Sequence, residues 1–221
     1  AVIPNKITEF TYQINNEKPV VVEGTSKKIV LNTTGIYTIV VTVTDNNGHT
    51  NRISKTYKID ATGPVIVLNP ERVEIESEQV AGYNLKTGMT VTDNVDGNID
   101  PSKVEVTGTI NKNPGSYTIT YKVRDRLGNE TVKTRTFVVK DLTKPVITLN
   151  PNEQNTFVQS QKITISATDN IKVTSLKYVI KKDGVAGAEQ VINGTSGTVT
   201  LDQTGKYVIV VTAVDNSNNV A

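Results

Sequence analysis

Gly35-Ile-Tyr37-Thr-Ile39-Val-Val41-Thr-Val43-Thr-Asp45-Asn-Asn-Gly48 is a stretch that this chain writes three times. It returns as Gly115-Ser-Tyr117-Thr-Ile119-Thr-Tyr121-Lys-Val123-Arg-Asp125-Arg-Leu-Gly128, and again as Gly205-Lys-Tyr207-Val-Ile209-Val-Val211-Thr-Ala213-Val-Asp215-Asn-Ser-Asn218. Apolar residues hold every second position, so an extended chain turns one face to a core and a face rich in Thr and Lys to water. Each copy is predicted to be a β-strand. It opens at a Gly and stops at an Asp-led turn, where Asp and Asn bond their own backbone.

Tyr37 and Tyr117 are 80 residues apart, and Tyr117 and Tyr207 are 90. Each interval is long enough for a thin core of its own, such as that of a two-sheet sandwich. The expected fold is therefore all-β, as tandem two-sheet sandwiches, which the corner tyrosines and the resemblance given below identify as Ig-like, arranged end to end with the terminal units incomplete. The expected domains are 1–60, lacking its first two strands; 61–141; and 142–221, lacking its last strand.

The incompleteness is read from alignment of the units with one another. Ile7-Thr-Glu-Phe10-Thr-Tyr12-Gln-Ile14 matches Val173-Thr-Ser-Leu176-Lys-Tyr178-Val-Ile180, and Ile29-Val-Leu31 matches Val199-Thr-Leu201. Unit three has two further strand-like runs before this, Pro145 to Asn150 and Lys162 to Asp169, with no counterpart in unit one. Arg52 to Asp60 and Thr131 to Lys140 supply a partner strand after the first two copies of the motif, the first joined through the Asn47-Gly48 turn. Unit three ends a few residues past its turn. The segment reads as a window on a longer array, since a sheet deprived of strands exposes unpaired edges.

Between units a linker recurs: Asp60-Ala-Thr62-Gly-Pro64-Val-Ile, then Asp141-Leu-Thr143-Lys-Pro145-Val-Ile. Proline at the start of a strand fixes φ and removes a donor that an edge does not need. Such linkers are short and stiff, so the units are expected in file.

Unit two inserts Met89-Thr-Val91-Thr-Asp93-Asn94-Val95-Asp96-Gly97-Asn98-Ile99-Asp100, followed by Val104-Glu-Val106-Thr-Gly108-Thr-Ile110 and Pro114-Gly-Ser-Tyr117. This run, closed by the Asp125 to Gly128 turn, resembles the bacterial immunoglobulin-like domain family, group 3, over about Val65 to Lys140. Units one and three are similar to related bacterial Ig-like repeats. The resemblance implies a surface or secreted protein of a Gram-positive bacterium. Independently of it, a Tyr early in a sandwich strand closes a corner by bonding back to the chain, two residues before a core cysteine. Tyr37, Tyr117 and Tyr207 hold that place, with Ile39, Ile119 and Ile209 where the cysteine would stand. With Trp absent and Phe only at 10, 137 and 157, aliphatic residues must fill the core.

The bulk composition removes several function classes. With 24 Lys and Arg against 22 Asp and Glu, scattered along the chain, there is no footprint of a nucleic-acid partner or an anionic membrane. Cysteine is absent, so neither disulfides nor thiol chemistry operate. No apolar run is long enough to span a bilayer or act as a signal peptide, and targeting or anchoring parts are expected outside this segment. The one histidine, His49, sits beside a turn, where no sheltered base is expected; no phosphate loop or zinc spacing is present. The chain is read as non-enzymatic.

One cofactor remains. In an Ig topology the loop after the second strand, the last hairpin turn and the start of the first strand share a pole. For unit two these places hold Asp93 with Asn94, Asp125 and linker Asp60; for unit three, Asp169 with Asn170, Asp215 and linker Asp141. Hard cations want several oxygens converging, so Ca2+ at the two junctions is the expectation. Asp96, Asn98 and Asp100 alternate like the start of a calcium loop, but the downstream Gly and Glu of an EF-hand are missing. The alternative for all of these is that Asp and Asn cap turns.

The expected role is a structural spacer in an extracellular bacterial protein, cell-surface or secreted, that presents or anchors other domains. Its partners would be further Ig-like domains of the same chain and a cell-wall or host surface molecule. Two alternatives are an adhesin binding host protein or glycan, and accessory domains of a secreted polysaccharide-active enzyme.

Overall fold

The computed structural model describes residues 6–153 and 156–221. Ala1 to Asn5, which carry no periodic pattern, lie outside the described residues. Among the described residues strands dominate, joined by turns and two single-turn 3-10 helices at Ser77–Gln79 and Pro101–Lys103.

Residues 7–59 form one four-stranded sheet from β1 (Ile7–Ile14), β2 (Val20–Val21), β3 (Gly35–Asp45) and β4 (Thr50–Ile59), in the order β2-β1-β3-β4. The alternation puts Phe10, Tyr12 and Ile14 of β1 opposite Val43, Val41 and Ile39 of β3, so all six share a face. The β3–β4 hairpin turns at Gly48, whose φ of 79° suits a residue without Cβ.

The next strands are β5 (Val65–Leu68), β6 (Arg72–Glu76), β7 (Met89–Asp93), β8 (Gly97–Asn98), β9 (Glu105–Thr107), β10 (Gly115–Arg124) and β11 (Glu130–Lys140). They make two sheets, β5-β7-β8 and β6-β11-β10-β9, with β6 parallel to β11. The remaining strands are β12 (Val146–Asn150), β13 (Gln161–Thr168), β14 (Val173–Lys182), β15 (Val185–Ala186), β16 (Gln190–Ile192), β17 (Ser196–Leu201) and β18 (Tyr207–Asp215). They also make two sheets, β12-β13-β17 and a second built on β14, which pairs with β15, β16 and β18. Among the described residues, no sheet mixes strands from these three stretches of chain.

By contacts the chain forms two compact units. One comprises Ala1–Leu68, Gly88–Val106 and Tyr121–Lys133; the other comprises Asn69–Thr87, Thr107–Thr120 and Thr134–Ala221. In the first, Ile66, Leu68, Met89, Val91, Tyr121 and Val123 are buried. In the second, Ile163, Ile165, Ala167, Val173, Leu176, Val199 and Ala213 form one core cluster. The second unit also buries Phe137, met edge-on by Tyr83, and Arg135, whose guanidinium lies over the Phe137 ring and donates to the Thr87 carbonyl. Phe157 is fully exposed.

The three tyrosines close the same corner. Tyr37 donates from its hydroxyl to the Thr33 carbonyl at 2.9 Å, Tyr117 to Asn113 at 2.7 Å and Tyr207 to Gln203 at 2.8 Å, each four residues back. The equivalent isoleucines differ: Ile119 is fully buried, while Ile39 and Ile209 are half-buried.

Burial sets the energetic prediction for the two ends of the chain. Ile165→Ala, in a closed core, should cost about 2–5 kcal/mol. Ile39→Ala should cost less than that, because Ile39 is only half-buried. Urea unfolding followed by NMR signals of β13 and of β3 separately measures both; equal losses would contradict the burial difference.

Candidate metal centres at two strand-end clusters

The eight residues read from the sequence gather at two places. Asp60 directly follows β4, Asp93 and Asn94 stand at the end of β7, and Asp125 directly follows β10. Asp141 follows β11, Asp169 and Asn170 follow β13, and Asp215 ends β18. In each cluster the three aspartates bring one carboxylate oxygen apiece within 4.8 Å of one another. Two oxygens on one Ca2+ at ~2.4 Å each cannot be farther apart than this. The strands explain the convergence: their alternation fills the core, and the aspartates stand where they stop.

Each strand-end aspartate also caps its own turn, with one oxygen. Oδ1 of Asp93 accepts from the N–H of Val95 and Asp96, and Oδ1 of Asp125 from Leu127 and Asn129. Oδ1 of Asp169 accepts from Ile171 and Lys172, and Oδ1 of Asp215 from Ser217 and Asn219. Turn capping and cluster formation thus coexist, because a carboxylate has two oxygens.

In the first cluster the linker is tied in by hydroxyls. Thr34 Oγ1 accepts from the Ala61 N–H and contacts Asp60 Oδ1, and Thr62 Oγ1 donates to Asn94 Oδ1 at 3.0 Å. Gly63 lies so close to β11 that a Cβ there would meet Thr131 Oγ1 at 2.7 Å and the Glu130 carbonyl at 2.8 Å. In the second cluster Asp141 and Asp215 are 4% and 1% exposed, and Asp141 Oδ1 accepts from Asn170 Nδ2. Here Asp169 Oδ2 and Asn170 Oδ1 are buried without any hydrogen-bond partner. A buried acceptor left unpaired costs the full desolvation of the group, and a cation would satisfy both.

The sequence reading missed Asn129 and Asn219. Asn129 Nδ2 donates to Asp125 Oδ2 at 2.7 Å and reaches the Asp60 carbonyl at 3.3 Å. Asn219 Nδ2 donates to Asp215 Oδ2 at 2.7 Å and to the carbonyls of Asp141 and Thr143 at 3.1 Å. The signal was available: an amide recurs four residues after the turn aspartate in both copies. In the first copy that place is taken by His49, whose Nδ1 lies 3.0 Å from Asp45 Oδ2 at an exposed site.

Asp96 and Asp100 do not join a cluster. Asp96 Oδ2 accepts from the Arg126 N–H, and Asp100 Oδ1 caps the Pro101–Lys103 helix through the Ser102 N–H. They border a cleft of about 500 Å³ lined also by Lys103, Glu105, Lys122 and Arg124, with no aromatic residue in its wall.

Burial pushes the Asp215 carboxyl up, but the Asn219 amide and the backbone N–H groups of 219, 217 and 218 outweigh it and hold it below its ordinary value. The same opposition, with Asn129 as donor, leaves Asp125 lowered. Asp45 is lowered by its bonds from His49.

Comparison with known proteins begins with the family described as "Bacterial surface protein, Ig-like domain", whose sequence model matches residues 75–139. An uncharacterized 81.3 kDa protein of Acholeplasma phage L2 is 34% identical over 194 residues, 85% of this chain and 25% of that protein. The chain thus spans a quarter of the length of that relative. Among solved structures, the CBM51-2 domain in complex with GlcNAc together with INT domains from Clostridium perfringens ZmpB is 20% identical, covering 71% of this chain and 45% of that one at a TM-score of 0.32. A Ca2+-stabilized adhesin with which an Antarctic bacterium binds ice is 15% identical, covering 99% and 63% at a TM-score of 0.29. Overlaps of that size carry no argument about ligands.

The lowered carboxyls set a pH dependence for the metal-free chain. A depressed folded pKa contributes stability above the unfolded value near 4 that disappears as pH falls through the folded value. Acid titration in chelator should therefore destabilise the chain below about pH 4, with Asp215→Asn flattening the response in the last sheet. An unchanged acid profile in that variant would contradict the assignment.

Proposed function

Taking residues 75–139 as an Ig-like domain of the bacterial surface-protein type, we propose that this chain is part of a spacer array outside the cell, stiffened by divalent cations at the two aspartate clusters. The domains would be 1–60, 61–141 and 142–221, in file. The observation that carries this reading is the repeated junction. Twice, a linker aspartate follows the last strand of one repeat and converges with two strand-end aspartates of the next. Cation binding there draws linker and loops into one coordination sphere, which limits bending between repeats. The role proposed is mechanical and non-catalytic.

A spacer of this kind serves a bacterial surface protein that presents other domains. The phage-encoded relative favours a second setting, a virion surface, in which the same mechanical role would apply. Glycan binding as an adhesin or as an accessory module is less favoured, because the charged cleft beside Asp96 offers no aromatic platform for a sugar ring.

Two measurements test the reading. Calcium at a hundredfold its Kd should raise the Tm by about 10 °C, the equivalent of about 2.7 kcal/mol, and Asp169→Asn should remove part of the shift. Identical melting in calcium and in chelator disposes of the cation. Small-angle scattering in calcium should give a radius of gyration well above the about 17 Å of a single compact body of this length; a value at or below that disposes of the spacer.

A further inference from the structure

Asn94 and Asn170 stand at the same place in their repeats, one residue after the aspartate that ends β7 and the one that follows β13. The structure uses their amides in opposite ways. The Asn94 oxygen accepts from the Thr62 hydroxyl at 3.0 Å, and the residue is exposed. Asn170 turns its nitrogen toward three acceptors: Glu78 Oε1 at 2.7 Å, Ser77 Oγ at 3.2 Å and Asp141 Oδ1 at 3.3 Å. Its oxygen is left buried without a hydrogen-bond partner.

A side-chain amide carries donor and acceptor on opposite atoms, so three acceptors around the nitrogen decide which way the oxygen faces. Ser77 is itself buried, and Lys112 Nζ holds the main-chain carbonyl of Asn170 at 3.1 Å. Asp169 is divided in the same way. Its Oδ1 is engaged by the N–H groups of Ile171 and Lys172, while Oδ2 is buried and unpaired. Two successive side chains therefore each keep one oxygen free of hydrogen bonds and shut off from water.

The first cluster shows none of this. Among the described residues, none of its oxygens is buried without a partner. Oδ1 of its linker aspartate, Asp60, accepts from the Thr62 N–H and contacts the hydroxyls of Thr34 and Thr62. An ion bound through that oxygen competes with groups already satisfied, whereas an ion at the second cluster meets acceptors whose desolvation is uncompensated.

Resting on the cation reading above, we propose that the two centres are unequal. The centre of Asp141, Asp169 and Asp215 takes Ca2+ first, with Asn170 Oδ1 as a fourth protein ligand held in place by Glu78 and Ser77. The centre of Asp60, Asp93 and Asp125 fills later and without Asn94. Glu78 is a positioning residue: its carboxylate holds the amide nitrogen, which presents the oxygen already oriented, and outer partners of this kind tune metal affinity. Between the two affinities only the second junction is braced.

The test titrates the full chain with calcium and follows the side-chain amide signals of Asn94 and Asn170 by NMR. The first equivalent should shift Asn170 and leave Asn94 unmoved, with midpoints on the order of 10-fold apart or more. Glu78→Ala should weaken the first-filled site on the order of 10-fold without changing the other. Glu78→Gln keeps an acceptor for the Asn170 nitrogen and should retain most of the affinity. Parallel filling, or Asn94 shifting first, overturns the proposal while the cation reading stands. Equal losses in Glu78→Gln and Glu78→Ala overturn the positioning role, since charge alone would then account for them. A chain with no calcium-dependent shift at either asparagine and no change in Tm removes the cation reading itself, and this inference with it.

Discussion

A strand exists only where another strand receives its backbone. Every N–H and C=O removed from water needs a partner, and in a sheet that partner is a neighbouring strand. Val199 to Leu201 and Ile29 to Leu31 carry the same pattern, yet the first run lies in β17 and the second in no strand. What separates them is β13. Once that pairing is present, β17 joins a second layer over β14 and β18, and Leu176 and Ala213 lose their last contact with water. Where it is missing, the residues alternate correctly but one layer cannot close a core, since a sheet buries its apolar face only against another layer.

The same pairing delivers the carboxylates. Within a strand, alternation commits side chains to a face, so a charged residue is tolerated where the strand ends. Asp93, Asp125, Asp169 and Asp215 all stand at such ends, and the sandwich brings those ends together with the linker aspartate. Three negative groups this close repel one another in a partly dry site, and the structure restrains them with hydrogen bonds from turn N–H groups and from Asn129 and Asn219. Those bonds reach both oxygens of Asp125 and of Asp215. The second cluster still leaves Asp169 Oδ2 and Asn170 Oδ1 unpaired, which is the feature there that hydrogen bonding within the protein does not account for.

Much of this was legible in one dimension. The Gly-x-Tyr motif names a strand, a turn and a corner, and the three corner bonds form at the same separation in each copy. The eight Asp and Asn residues were identifiable because they recur at equivalent places in a repeat. Asn129 and Asn219 were passed over because a turn asparagine has a sufficient local explanation, and their bonds to linker carbonyls span 69 and 78 residues.

By itself the sequence determined the period of each strand, where each stops, and which turns carry acids, because these depend on residues a few positions apart. The tertiary structure alone decided which equal sequences become strands, which equal faces become cores, and that Asp169 keeps one oxygen unpaired. Those outcomes are set by partners many tens of residues away, and hydrogen bonding and burial respond to the partner's presence rather than to the local pattern.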